Sequence, residues 1–199
     1  KDRLTPKLRN TAIALWKIYL SLTVLCALGY FLSGMTIFDA VSHSFSTVAI
    51  GGFSTHDASI GYFNSISIEM VAMFFMFLAG INFSLHFLAW NNKSLIDYIK
   101  DSEFKTYAMV LFASSVIVII ALGLNSEYGS SIETIRHSLF QTVSIATTTG
   151  YTSQSFSSWP AAIPVFLIMM SFIGACVGST GGGIKVIRIL VMFRLGMKE

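Results

Sequence analysis

Charged residues are scarce in this sequence. Asp, Glu, Lys and Arg make up 12% of its 199 residues, against about 25% in soluble domains. Three runs, at residues 18–38, 70–90 and 106–126, contain none of them. Each run reaches the ~20 residues that a helix needs to cross the ~30 Å core of a bilayer. The scarcity of charge therefore argues against a soluble globular protein and predicts an all-α integral membrane protein.

Cysteine and catalytic motifs are also nearly absent. Cys26 and Cys176 are the two cysteines, and both fall in predicted membrane segments, which argues against a disulfide framework. No nucleophile stands in a motif with a histidine base, and no two histidines have the i, i+4 spacing of a helical zinc site. The sequence therefore predicts neither an enzyme nor a resident cofactor or metal.

The basic residues are confined to three regions. Of the 13 Lys and Arg residues, all but Arg136 lie at residues 1–17, 93–105 or 185–198. Basic clusters between apolar runs are typical of cytoplasmic segments under the positive-inside rule. We therefore predict that both termini and residues 93–105 face the cytoplasm, and that the chain contacts membrane lipid and no nucleic acid.

This orientation divides the chain into two units of the same design. Each contains a short apolar stretch, at residues 40–50 or 138–146, that is too short to span and is predicted to be re-entrant. An ungapped offset of 98 residues aligns His43 with Gln141. Each predicted repeat consists of an outer helix, a re-entrant pore helix, a polar loop and an inner helix. The repeats cover residues 1–92 and 106–199, and a cytoplasmic loop covers residues 93–105.

Each re-entrant stretch runs into glycine and hydroxyl residues, AIGGFST in the first unit and TTTGYTS in the second. Non-helical backbone at membrane depth is tolerated only where it is buried in protein or lines a wet cavity. Gly52 and Gly150 coincide under the offset, and glycine permits the positive φ that aims carbonyl oxygens at a cation. The pattern favours a cation site; the alternative is a pair of glycine-rich interhelical turns.

The last apolar run is interrupted by GACVGSTGGGIKV, which has five glycines within ten residues. It departs from the phosphate loop G-x-x-x-x-G-K-[ST], because Ile184 precedes Lys185 and Val186 replaces the hydroxyl residue. Since each glycine costs a helix about 1 kcal/mol relative to Ala, we predict that the second inner helix is broken here. Tight packing of small residues is the alternative. The segment GINFSLHF in the first unit is predicted to continue as helix.

Several polar residues accompany these segments. We expect Asn82 and His86 to make hydrogen bonds between packed helices rather than to line a pore. Glu69 is expected near the outer interface. Three histidines and four acids flank the re-entrant stretches and predict either a mildly acidic outer mouth or solvated loops: His43, His56, His137, Asp39, Asp57, Glu127 and Glu133.

Four blocks in order, STVAIGGFSTHDASIGYF, MFLAGINFSLHF, SIATTTGYTS and GSTGGGIKVIRIL, resemble the TrkH-like membrane subunit of the Trk/Ktr potassium uptake systems. Members of that family carry four helix–pore-helix–helix repeats around one pore, and this chain resembles the second and third. The resemblance implies potassium transport in the bacterial inner membrane, with potassium as the transported ligand. It also implies that the remaining pore repeats belong to a longer chain or come from a second one.

The resemblance assigns residues and partners. The filter carbonyls would be those of Ile50, Gly51 and Gly52 and of Thr148, Thr149 and Gly150, although the threonine hydroxyls of the second set could instead hold neighbouring loops. The gate would be an intramembrane loop that contains Gly174, Gly178, Ser179, Thr180, Gly181, Gly182 and Gly183. The implied partners are a second copy in a homodimer and a cytoplasmic nucleotide-binding ring of the TrkA or KtrA type. Another pore-loop cation channel and a non-conducting membrane scaffold are the alternative functions.

Overall fold

The computed structural model describes residues 5–124, 131–157 and 159–197, and these ranges contain helices and loops but no strand. The all-α prediction is thereby confirmed. The α-helices are α1 (Thr5–Leu32), α2 (Ile37–Val48), α3 (Ile66–Ala79), α4 (Phe83–Asn92), α5 (Ile96–Lys100), α6 (Ser102–Leu124), α7 (Ser131–Ala146), α8 (Ala162–Phe172) and α9 (Val186–Gly196), and a 3₁₀ turn covers Ser59–Phe63.

Two helices are long and apolar enough to cross a membrane without interruption. They are α1, over Arg9–Leu32, and α6, over Ser102–Leu124. Each is followed by a shorter helix that packs against it, α2 with 12 residues and α7 with 16 residues. The short helices cover most of the stretches predicted to be re-entrant and begin earlier than those stretches, at Ile37 and Ser131. Their re-entry into the membrane stays a prediction.

The first inner helix is broken, so the prediction for GINFSLHF was wrong. Helix α3 ends at Ala79 and α4 begins at Phe83, with a bend of 93° between them. The side chain of Asn82 accepts a hydrogen bond from the N–H of Ser84 (2.8 Å) and so caps α4. Asn82 therefore does not bond a neighbouring helix as expected. Tyr107 of α6 occupies the space beside Gly80, where a Cβ would overlap its hydroxyl group.

The second inner helix is broken at the glycine cluster, as the sequence predicted. Helix α8 ends at Phe172 and α9 begins at Val186. We call residues 173–185 between them the glycine loop. Its two ends are joined by a parallel bridge between Ile173 and Ile184, in which Gly174 N–H donates to Ile184 O (2.9 Å). Helix α8 has 11 residues, fewer than a membrane span requires.

Three apolar clusters hold the helices together. The largest joins α1, α2 and α3 of the first unit to α7 and Tyr151 of the second, so the two units share one core. The second packs α6 against the glycine loop and α9, and the third packs α6 against α8. Cys26 lies in the first cluster and Cys176 in the second, and both are free thiols.

An ion pair between a buried carboxylate and a half-buried guanidinium also joins the two units. Arg136 on α7 donates to Glu69 on α3 through two bonds, from Nε to Oε2 (2.7 Å) and from Nη2 to Oε1 (2.8 Å). Glu69 lies in the first turn of α3 and is buried against α7, and its expected position near the outer interface stays a prediction. The sequence held a signal for this pair, since Arg136 is the one basic residue outside the three basic regions and isolated charges in membrane segments pair with one another.

Candidate functional site

The chain leaves α2 through a tight turn. Ile50 N–H donates to Thr47 O (3.1 Å) and Gly51 N–H to Ser46 O (2.8 Å), the paired bonds of a Schellman motif. Ile50 accordingly has a φ of 54°, and Gly52 has a φ of 69°. The left-handed region costs a residue with a Cβ roughly 1–2 kcal/mol, so the surrounding structure must hold Ile50 in this conformation. We call residues 50–52 turn A.

The turn that follows α7 repeats this geometry at the 98-residue offset. Thr148 N–H donates to Ile145 O (3.0 Å) and Thr149 N–H to Ser144 O (2.9 Å). Thr148 and Gly150 have φ values of 69° and 86°. Residues 148–150, turn B, therefore place another β-branched residue in the strained position. Unlike residues adopt one backbone shape in the two units, which indicates that the shape itself is needed.

Turn B is anchored on α2, the short helix of the other unit. The hydroxyl group of Tyr151, which follows turn B, donates to His43 O (3.2 Å) and lies 3.3 Å from Thr47 Oγ1. Tyr151 is 0% exposed, and burial raises the pKa of its phenol to about 12, so it remains a donor at neutral pH. Phe53, at the equivalent position after turn A, is 82% exposed. The side of turn A that corresponds to this anchor is thus open.

The histidines beside the turns are structural. His43 Nδ1 bonds to Asp39 O (2.8 Å), a carbonyl that can only accept, so Nε2 accepts from Ser54 Oγ (2.9 Å) in the neutral ring. Burial lowers the pKa of His43, which favours this neutral form. His137 Nδ1 bonds to Ser153 Oγ (3.1 Å) in the second unit, and burial lowers its pKa too.

Only part of the predicted acidic mouth is exposed. Asp39 is buried and accepts from Thr55 Oγ1 (2.6 Å) and Thr36 Oγ1 (2.7 Å), bonds that lower the pKa of its carboxyl group. His56 lies 3.3 Å from the same carboxylate. Asp57 and Glu133 are exposed, whereas Glu127 lies outside the described residues. Within the described ranges, no group of three His, Cys, Asp or Glu residues could hold a metal ion.

The glycine loop touches both turns. Gly182 N–H donates to Thr148 Oγ1 in turn B (2.8 Å), so a threonine hydroxyl does hold a neighbouring loop. Thr180 Oγ1 donates to Val48 O at the end of α2, beside turn A (2.8 Å). Gly181 lies between these contacts, where a Cβ would be 3.6 Å from Ile50 Cδ1. The three segments that the sequence singled out therefore meet at one place.

The opposite side of the glycine loop bonds to the break between α3 and α4. Cys176 N–H donates to Gly80 O (3.0 Å), and Gly178 O accepts from Phe83 N–H (3.0 Å). Lys185 closes the loop by donating from Nζ to Gly181 O. The two helix breaks thus satisfy each other's backbone groups, which non-helical backbone within a membrane requires.

His86 agrees with the expectation of a packing hydrogen bond. Its ring nitrogens bond to Tyr98 Oη (2.8 Å) and to Leu78 O (3.0 Å), which ties α4 to α5 and to the end of α3. This side chain therefore stabilises the bend between α3 and α4.

Helices of this length and apolarity, with broken helices packed between them, define an α-helical membrane protein. The family described as TrkH, cation transport protein, matches residues 1–199, and the chain belongs to this family.

Relatives of this family cover the whole chain. The sequence is 50% identical over 198 residues to the Trk system potassium uptake protein TrkH of Halomonas elongata and 48% identical to that of Escherichia coli K12. The fold matches a crystal structure of the potassium transporter TrkH from Vibrio parahaemolyticus with a TM-score of 0.95 and 47% identity, over 100% of this chain and 43% of that one. Both sequence matches cover 100% of this chain and 41% of the relative's length.

Proposed function

We propose that the chain forms part of a potassium pathway, in which turns A and B are two quadrants of a selectivity filter. The observation that carries this proposal is the recurrence of one strained backbone shape, with positive φ at Ile50 and Gly52 and again at Thr148 and Gly150. Filters that bind potassium replace its hydration shell with backbone carbonyl oxygens, and alternating φ signs orient successive carbonyl groups. The names of the relatives, potassium uptake proteins and a potassium transporter, support the choice of ion.

The open side of turn A supports further repeats in the complete protein. Tyr151 docks turn B on the pore helix of the preceding unit, and the equivalent Phe53 has no such helix to contact in the described part of the chain. We infer that Phe53 packs on the pore helix of a repeat that precedes this one. The chain covers 41% of the length of its sequence relatives, which leaves room for two more such repeats.

The glycine loop is proposed as the gate. It bonds to turn B through Gly182 and to Val48, the last residue of α2, through Thr180, so it lies at the C-terminal ends of both pore helices, where an ion would leave the filter. A glycine-rich segment held by a few hydrogen bonds can move with little change in the helices that flank it. Ions would pass when the loop moves aside.

In the proposed orientation, residues 93–105, which include α5, lie on the cytoplasmic side of a bacterial inner membrane. Leu95, Ile96 and Ile99 are exposed on this segment beside Lys93 and Lys100, a surface that suits a regulatory protein such as the nucleotide-binding ring or an anionic lipid headgroup. A homodimer of the complete protein belongs to the same proposal.

Potassium flux in proteoliposomes that contain the complete protein tests the proposal. We expect potassium to permeate, and we expect substitutions in both turns to alter the flux. A well-folded complete protein that passes no potassium would contradict the proposal and would favour a non-conducting scaffold.

A further inference from the structure

A buried carboxylate on α6 contacts both the glycine loop and the first turn of α9, which follows it. Glu103 Oε1 accepts from Val177 N–H (2.8 Å), near the start of the loop, and from Ile187 N–H (3.2 Å), just beyond its end. The residue is 8% exposed. One oxygen atom thus fixes both ends of the helix break from a third element of the fold.

The charge of Glu103 matches the groups that it meets. Helix α9 has no acidic residue in its first turn, and its N-cap residue, Lys185, makes no side-chain cap. The first N–H groups of a helix lack internal partners and carry partial positive charge. Because Glu103 supplies the missing acceptor, the start of α9 is stabilised by a residue of a different helix. Hydrogen bonds to an ionised acceptor are about twice as strong as neutral ones.

The position of Glu103 is set by the cytoplasmic segment before it. Asp101 Oδ1 accepts from Phe104 N–H (2.7 Å) and so caps the first turn of α6. Helix α5 ends at Lys100, directly before Asp101.

We propose that Glu103 is the positioning residue that keeps the glycine loop and the start of α9 in place. This proposal concerns only the position of the loop and is tested without measuring flux.

Two native cysteines provide the test. Cys176 is buried in the glycine loop directly before Val177, whereas Cys26 is buried in the core shared by α1, α2 and α3. In the complete protein, the labelling rate of each thiol with a water-soluble maleimide is measured by peptide mass spectrometry. Glu103→Ala removes two hydrogen bonds and also a negative charge close to the Cys176 thiol, whereas Glu103→Gln removes the same charge and keeps an acceptor oxygen. We expect Cys176 to be labelled about tenfold or more faster in Glu103→Ala than in Glu103→Gln, which corresponds to ~1.4 kcal/mol of local opening, and Cys26 to be labelled equally in both.

Asp97→Asn is the matched control, because it removes one negative charge from the same cytoplasmic segment. The native Asp97 accepts a hydrogen bond from Asn92 and makes none to the glycine loop. Asp97→Asn should leave the labelling of Cys176 unchanged. An equal Cys176 rate in Glu103→Ala and Glu103→Gln, or an equal rise at Cys26, would overturn the positioning role, since the second result reports general unfolding.

Potassium flux separates this proposal from the gate proposal. Faster Cys176 labelling together with altered flux supports both. Faster labelling with unchanged flux supports the positioning role and contradicts the gate. If labelling stays constant while variants of the glycine loop change the flux, the gate stands and the role of Glu103 is wrong.

Discussion

The backbone of Gly52 lies against the carbonyl group of Thr149, so closely that a Cβ on Gly52 would overlap the carbonyl oxygen. Turn A and turn B therefore touch through backbone atoms, and no side chain separates them at this point. This contact explains the need for glycine at residue 52 more directly than its φ does. It also makes the two turns sensitive to each other's conformation.

Alanine in place of Gly150 tests turn B without a steric clash. Gly150 has a φ of 86°, and no atom lies within 4 Å of the position that a Cβ would occupy, so Gly150→Ala imposes only backbone strain of roughly 1–2 kcal/mol. We expect potassium flux to fall about tenfold or more, because the filter carbonyls reorient. The control is Gly34→Ala, since Gly34 has a φ of 104° with open space and lies between α1 and α2. Equal losses of flux in both variants would contradict a specific role for turn B.

Loss of the Thr148 hydroxyl should release the glycine loop. Thr148→Val removes the acceptor of the exposed Gly182 N–H, a bond with a net value of about 0.5–1.5 kcal/mol, so basal potassium flux should rise, whereas Thr148→Ser should behave like the parent. Ser179→Ala is the control, because Ser179 Oγ donates to Cys176 O within the loop (2.6 Å) and does not bridge to a turn. The readout is flux in proteoliposomes; a rise in the Ser179 variant as large as in Thr148→Val would count against the bridge.

The Glu69–Arg136 pair should dominate the stability of the junction between the units. Removal of Arg136 strands the buried carboxylate of Glu69, so Arg136→Ala should destabilise the complete protein by about 3–5 kcal/mol. The double variant Glu69→Met, Arg136→Met should recover most of that loss. Glu133→Gln provides the control, as an exposed carboxylate on the same helix. Thermal unfolding in detergent measures all of these, and a double variant as unstable as the single one would contradict the assignment.

Stability should fall in mild acid because of the buried histidines. The pKa of His43 is lowered in the folded protein, by burial first, while an unfolded histidine titrates near ~6.5. Below about pH 6.5 the unfolded state therefore binds more protons than the folded state. As the pH falls from about 6.5 to the lowered pKa of the folded protein, the free energy of unfolding decreases. Above about pH 6.5 the contribution of His43 is constant.

The variant His43→Gln carries the residue that the second unit has at the aligned position. It should reduce the slope of melting temperature against pH between about pH 5 and pH 7. Part of the slope should remain, because burial also lowers the pKa of His137. An unchanged slope in His43→Gln would show that this histidine does not titrate with unfolding.

The sequence predicted those features that composition alone determines. Runs without charge located α1 and α6. Runs of glycine and hydroxyl residues located turns A and B, and clustered glycine located the glycine loop, because glycine weakens helices wherever they lie. The break after Gly80 was missed because its signal is short: one glycine, followed two residues later by the capping residue Asn82. The fold around it decides whether such a signal ends a helix.

Contacts between distant residues were not predictable in this way. Arg136 and Glu69 are 67 residues apart, and Val177 and Glu103 are 74 apart. Each pair forms only because packing of whole helices brings it together. An isolated charge in an apolar segment indicates that a partner exists, but the partner's identity follows from the tertiary structure.

The position of a bound ion tests the proposed filter most directly. Crystals of the complete protein grown with rubidium, an anomalous scatterer that replaces potassium, would show whether an ion lies between turns A and B. We predict an anomalous peak coordinated by backbone oxygens of residues 50–52 and 148–150. A conducting protein whose peaks all lie away from these residues would contradict the claim that the two turns form the filter.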